Sequence, residues 1–251
     1  MNRFIGIFLV FIASNVFAQA NNVAINKGAT GGDLVEFVNA EQMPLPIPKG
    51  ELEKLQKTAF SPKSVDGFSP IEKSPEEVSG FFLQLNTAKA QLANQSQRNA
   101  QLQRGVPQGP EVHKDLSTLK LAFKVASFGR GTLVAATPAG TNIDAGWTGV
   151  ERFFRVEGEG TTRITEYDLG ATKGKFYMLK DAVNTRVNGK SAISKIFTDD
   201  DGQTIEEIVW VDGNKFYMLA FSPDVVAGNA AGTKLKAAPH VSARSIAHEL
   251  R

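Results

Sequence analysis

The sequence predicts an α+β protein. Its centre is an antiparallel β-meander of about eight strands (a curved sheet, sandwich or partial barrel) with one long N-terminal helix packed on it. Three observations carry this. Asn188-Gly189 and Asp212-Gly213 each stand between runs rich in β-branched and aromatic residues. Such dipeptides favour hairpins because a type I′ turn needs positive φ at both central residues. The tetrapeptide Phe-Tyr-Met-Leu occurs at 176–179 and again at 216–219, each time after a Gly-containing turn and a Lys. Finally, the long helical pattern precedes the strands and none lies between them, as in α+β rather than α/β chains.

Residues 1–20 read as an export signal. Asn2 and Arg3 form a charged start, Phe4 to Ile12 is an apolar run, and Ala18-Gln19-Ala20 fits a small-x-small cleavage site. The apolar run is far shorter than the roughly 20 residues that span a bilayer, and no later stretch is long enough for a transmembrane span. The expected destination is therefore periplasmic or secreted. The chain has no Cys, which rules out disulfides and Cys-ligated zinc, and fits a bacterial periplasm. A formal charge of +2 gives no electrostatic footprint for nucleic acid.

Residues 21–74 form a Pro/Gly/Ser-rich stretch expected to be an extended arm. Gly28, Gly31 and Gly32 precede Pro44, Pro46 and Pro48, whose alternation favours polyproline-type backbone. A helical turn fits 51–58. Ser-Pro follows at 61–62, 69–70 and 74–75, the first two after Phe60 and Phe68. Those two rings are expected to dock the arm on the globular part.

The domain at 75–251 begins with the helix. Ser74-Pro75-Glu76-Glu77 offers a cap, a Pro at the first helical position and a Glu to complete a capping box. The helix should run to about Arg104, before Gly105 and Pro107. Val78, Phe81, Phe82, Leu85, Ala88 and Leu92 make its apolar stripe, which fades into Gln95, Asn99 and Leu102. Strands follow at 119–125, 132–137, 150–157 and 161–169, the last two joined by Gly158-Glu159-Gly160. Residues 222–241 read as loop and 243–251 as a short, mildly basic, solvated helix.

The second hairpin fixes two faces. With 212–213 as its loop, Trp210 stands opposite Lys215 and Ile208 opposite Tyr217. One face carries Ile205, Val209, Val211, Phe216, Met218 and Ala220. The other carries Glu206, Ile208, Trp210, Lys215, Tyr217, Leu219 and Phe221. This second, mixed face has aromatic rings with polar tips and a Lys able to lie over the indole. Trp210, Tyr217 and Lys215 are therefore the candidate binding residues, with Tyr177 added through the repeated tetrapeptide. The face is either a second core layer beneath the long helix or a surface kept for a partner.

Motifs for catalysis are weak. His113, His240 and His248 lie in no metal-ligand spacing, and no nucleophile elbow or phosphate-binding glycine pattern is present. Asp199-Asp200-Asp201-Gly202 lacks the D-x-D-x-D-G spacing of a calcium loop and reads as a turn. Glu157 and Glu159 flank a Gly at a hairpin tip and read as solvated. No metal and no cofactor are expected.

The run Glu207 to Asp224, EIVWVDGNKFYMLAFSPD, resembles the hairpin and aromatic strand of periplasmic ligand modules of the lipoprotein-carrier type. That resemblance implies a curved antiparallel sheet around helices, holding acyl chains or peptides without catalysis. The function expected is a non-enzymatic periplasmic or secreted protein that binds an envelope protein or an apolar ligand through one sheet face. The alternatives are a structural accessory of an envelope assembly and a secreted hydrolase with a dispersed site. Export is tested first: N-terminal sequencing of the protein from the periplasmic or culture fraction should begin at Gln19 or Asn21. An intact Met1 in a cytoplasmic pool would end the secretion reading.

Overall fold

Two antiparallel meanders lie edge to edge in the computed structural model, which describes residues 7–9, 34–39, 71–104, 111–172, 175–224 and 242–250. Strands β4 (Thr132–Ile143), β5 (Gly146–Val156) and β6 (Gly160–Asp168) form the first. Strands β9 (Lys190–Thr198), β10 (Thr204–Asp212) and β11 (Lys215–Pro223) form the second. β11 pairs antiparallel with β6, giving the order β3-β9-β10-β11-β6-β5-β4. At the far side β9 carries two partners, β3 (Ile71–Lys73) in parallel and β8 (Thr185–Val187) antiparallel. The fold is α+β with a curved sheet, and the sheet does not close into a barrel.

Both predicted hairpins form, but by different turns. Asn188 and Gly189 have φ of 48° and 81°, as a type I′ turn requires. The other turn is Gly213-Asn214, not Asp212-Gly213, because Asp212 pairs with Lys215. Only Gly213 there has positive φ, at 60°, the signature of a type II′ turn. Trp210 consequently faces Tyr217 and Val211 faces Phe216. The register moves by two positions, which leaves every side chain on its predicted face.

The first Phe-Tyr-Met-Leu copy leaves the meander. It lies in β7 (Lys175–Leu179), the middle of a separate three-stranded sheet between β1 (Ile7–Leu9) and β2 (Val35–Val38), parallel to both. Phe176 and Met178 pack on Val209, Val211, Phe216 and Met218, with the Phe176 and Phe216 rings 4.8 Å apart. The two copies thus meet through the same two side chains. Of residues 21–74, the described pieces at 34–39 and 71–74 join these two sheets. The predicted turn at 51–58 and the docking of Phe60 and Phe68 lie outside the described residues.

Helix α1 (Pro75–Ala93) covers the other half of this core face. Val78 and Phe81 meet Phe197, Ile205 and Ala220, while Leu85 and Ala88 meet Ala135 and Phe153. Only the first part of the predicted helix is continuous: α1 stops at Ala93 and α2 (Gln95–Gln103) restarts after Asn94. The break falls where the apolar stripe ends, and the described residues of α2 are mostly exposed, so little burial holds it in line. Ser74 does not cap with its side chain. Its N–H is bonded to Thr198 O (2.9 Å), which continues the pairing of β3 with β9.

Residues 119–125 are not a ladder strand. Leu121 makes one isolated bridge to Trp147, and the segment crosses the mixed face with Leu119 and Ala126 buried. Its alternation reflects that crossing. A short 4-residue helix α3 (Leu169–Thr172) follows β6, and α4 (Ala243–Ala247) ends the described chain. The tail expected to be solvated is instead buried: Ala243, Ile246, Ala247 and Leu250 pack on the mixed face. The long helix lies on the opposite side.

Phe81 is 1% exposed and Leu83, two residues on, is 68% exposed. Phe81→Ala should cost about 3–5 kcal/mol in a denaturant melt, whereas Leu83→Ala should stay within about 0.5 kcal/mol of the parent. Equal effects would contradict this orientation of α1.

Candidate functional site

The mixed face brings together three of the four candidate binding residues. Trp210 and Tyr217, cross-strand neighbours on β10 and β11, stack with ring centroids 4.8 Å apart and planes 9° from parallel. Both are buried, Trp210 at 3% and Tyr217 at 9% exposure. Lys215 lies next along β11 on the same face. Its ammonium sits over the Phe123 ring (5.4 Å) rather than the indole. Tyr177 is elsewhere, half-buried in the small sheet.

Beside the stack, on the same face, lies an ion cluster that the sequence reading missed. Glu166 on β6 is fully buried and accepts from Arg152 Nη2 (3.0 Å), Lys215 Nζ (2.8 Å) and the Ala126 N–H (3.0 and 3.1 Å). Arg152 on β5 also donates to Ala126 O (2.9 Å), and Lys215 to Lys124 O. The crossing segment is therefore tied down by its own backbone. One anion is shared by two cations, and Arg152 Nε finds no partner. Burial pulls the Arg152 guanidinium down, with Glu166 and Tyr217 pushing back. Burial, then the charges of Glu166 and Asp212, raises the Tyr217 phenol above its ordinary range. The signal was present in sequence as charged residues inside apolar strand runs, RFFRV and TRITEYD.

Helix α4 closes the face. Ser242 and Ser245 make a capping box, and Glu206 accepts from the Ala243 N–H (2.7 Å). Arg130 bridges Glu159 (2.6 Å) and Glu249 (2.8 Å), so the hairpin-tip carboxylate read as solvated is half-buried and paired. His248 Nδ1 lies 2.9 Å from Asn188 Oδ1. These ties ring the rim, and the centre is apolar.

The opposite face holds a second charged seam between α1 and the sheet. Arg163 on β6 reaches Gln84 on α1 and, at 3.5 Å, Glu207 on β10. That contact is too long to offset desolvation, and burial pushes the Glu207 carboxyl up to about 7, with Glu77 adding to the rise and Arg163 and Lys195 opposing it. Lys195 contacts Glu72 (3.4 Å) and is pulled down by its own burial.

The remaining candidates do not assemble. His113 Nδ1 bonds Thr118 Oγ1 (2.8 Å), far in sequence from His248, and His240 lies outside the described residues. Asp199 uses one carboxylate oxygen to accept from the Asp201 and Gln203 N–H groups (3.0 and 2.8 Å), which makes the acidic run an ordinary turn. Among the described residues, no group of three or more His, Asp and Glu is placed to hold a metal ion.

Glu207 sets a pH dependence. The folded chain holds its proton more tightly than the unfolded chain, so its contribution is full below about pH 4.5 and is lost as pH rises through about 7. Urea melts at pH 5 and pH 8 should show Glu207→Gln losing less stability over that interval than the parent, by up to roughly 3 kcal/mol. Parallel slopes would mean that Glu207 is ionised in the fold throughout.

Compared with known proteins, the chain matches no family model, no curated protein and no solved structure.

Proposed function

We propose that this chain is a non-enzymatic, exported protein of the bacterial envelope. It binds a partner protein or an apolar ligand through the mixed face of its sheet, in the place that α4 takes. The observation that supports this reading is the nature of the closure. The aromatic stack of Trp210 and Tyr217 shares one apolar cluster with a helix of five residues, while the Glu166 cluster beside it is covered by the segment through Ala126. An apolar helix face laid in an aromatic groove is a recurring mode of peptide recognition, and here the chain's own C-terminal segment supplies it.

A helix this short has little stability of its own, because helix nucleation is costly and isolated short helices are marginal in water. Its order comes from Ile246, Ala247 and Leu250 against the sheet. Release of α4 would therefore expose the stack without disturbing the ladder hydrogen bonds of β10 and β11.

The test is a chain ending at Asp224, in a Trp147→Phe background so that Trp210 alone reports. Its emission should shift to the red relative to the full chain. N-phenyl-1-naphthylamine should bind the shortened chain and be displaced by a peptide of residues 242–251. A shortened chain that melts without cooperativity, or that folds and takes no dye, would make α4 ordinary core and sink the reading.

A further inference from the structure

The small sheet shows a strand slot whose occupant is itself part of the export signal. β7 lies between β2 and β1, and β1 is Ile7–Leu9, inside the apolar run Phe4 to Ile12. Ile7 pairs with Lys175, Phe8 with Phe176 and Leu9 with Tyr177, all in parallel. If signal cleavage occurs at Ala18 or Ala20, the mature chain has lost this strand. One edge of β7 then has no partner from residues 7–9.

The geometry of that edge follows from one hydrogen bond. The Phe176 N–H donates to Leu34 O (2.7 Å), on the β2 side. Successive residues of a strand direct their N–H and C=O groups to opposite edges, so the Tyr177 groups point to the side where β1 lies. The strand is held rigidly from below, because Phe176 and Met178 are each 1% exposed against the main sheet. A fixed edge spares an incoming strand much of the ordering cost of association. It also carries few of the features that keep natural edges apart: after Lys175 at its start, β7 contains no charge, no Pro and no bulge.

We propose that the mature protein uses this edge of β7 to capture an extended, uncharged apolar segment of another exported polypeptide, added as a parallel strand. The paired sequence Ile-Phe-Leu sets the class of segment, uncharged and apolar throughout, and backbone hydrogen bonds of the added strand give the affinity. In the precursor the signal fills the slot, so capture begins only after processing. The proposal rests on the export reading and is independent of the mixed face and α4.

The test uses the chain beginning at Asn21 and a fluorescent peptide of residues Ile5–Val10 followed by three lysines. Anisotropy should show saturable binding to this chain and none to the uncut precursor. Tyr177→Pro removes the N–H on the open edge and leaves the Phe176 bond to Leu34 in place. It should weaken binding about ten-fold or more, as should a peptide with Phe8→Pro, while Tyr177→Thr should bind like the parent. Hydrogen exchange at the Tyr177 amide gives a readout that does not depend on a variant folding: it should be fast in the mature chain and slow once peptide is added. Equal binding by a well-folded Tyr177→Pro chain would overturn the proposal. So would a Tyr177 amide already protected without peptide, which would place another segment of the same chain, or a second copy seen by light scattering, on the edge. An exported protein that still begins at Met1 would fail the export reading alone, since binding to the chain beginning at Asn21 is scored separately.

Discussion

The hairpin of β10 and β11 is apolar on both sides, and that constraint organises the rest of the molecule. Val209, Val211, Phe216 and Met218 fill one face while Ile208, Trp210, Tyr217 and Leu219 fill the other, all at 9% exposure or less. A sheet of this kind must be covered twice. On the core face the cover is shared by α1 and by β7 with its neighbours. On the mixed face it comes from the segment through Phe123 and Ala126 and from α4. In sequence β7 falls between the two meanders, and it packs on the part of the core face that α1 leaves to it.

Two of these covers, the crossing segment and α1, are fastened through buried ion clusters, and the magnitudes say what such clusters can do. Removing two charges from water costs several kcal/mol per ion, so a buried pair adds little net stability over a well-packed apolar substitute. Breaking one partner is a different matter, since it strands the other charge in low dielectric. Glu166 is the clearest case, with Arg152, Lys215 and the Ala126 N–H all directed at one carboxylate. The cluster therefore fixes where the crossing segment lies more than it holds the fold together. Arg163, between Gln84 of α1 and Glu207 of β10, does the same across the core face.

What was legible in the sequence was periodic and local. Side-chain alternation gave the faces of β10 and β11 correctly even though the turn was placed one residue early, because a register error of two preserves facing. The capping pattern located the start of α1, although Ser74 is held by Thr198 rather than by its own hydroxyl. Nonlocal partners were not legible. Alternation at 119–125 reads as a strand, but β4 and β5 are already paired and the segment bridges only through Leu121. The repeated tetrapeptide reads as two strands of one meander, and instead its copies stack through Phe176 and Phe216 from separate sheets. Of the candidate site, the sequence pattern placed Trp210, Tyr217 and Lys215 on one face, as the structure does. The neighbouring Arg152 and Glu166 were missed because mid-strand charges become informative only when their strands are known to be neighbours.

The two covers differ in a way that separates stability from adaptability. Helix α1 has 19 residues and sends Phe81 into contact with Phe153, with the Arg163 guanidinium 5.7 Å from its ring. Loss of that layer would expose several large side chains and a buried charge together. Helix α4 has five residues, two of its three buried residues are alanines, and its polar ties sit at the rim. Local opening is least costly where few apolar contacts are lost and the hydrogen bonds given up can be remade with water. Glu206, Arg130 and Asn188 all meet that second condition, since each ties α4 from the edge of the face. The same sheet thus has one side sealed by a long helix and a fixed strand, and another covered partly by the tied segment through Ala126 and partly by the short α4.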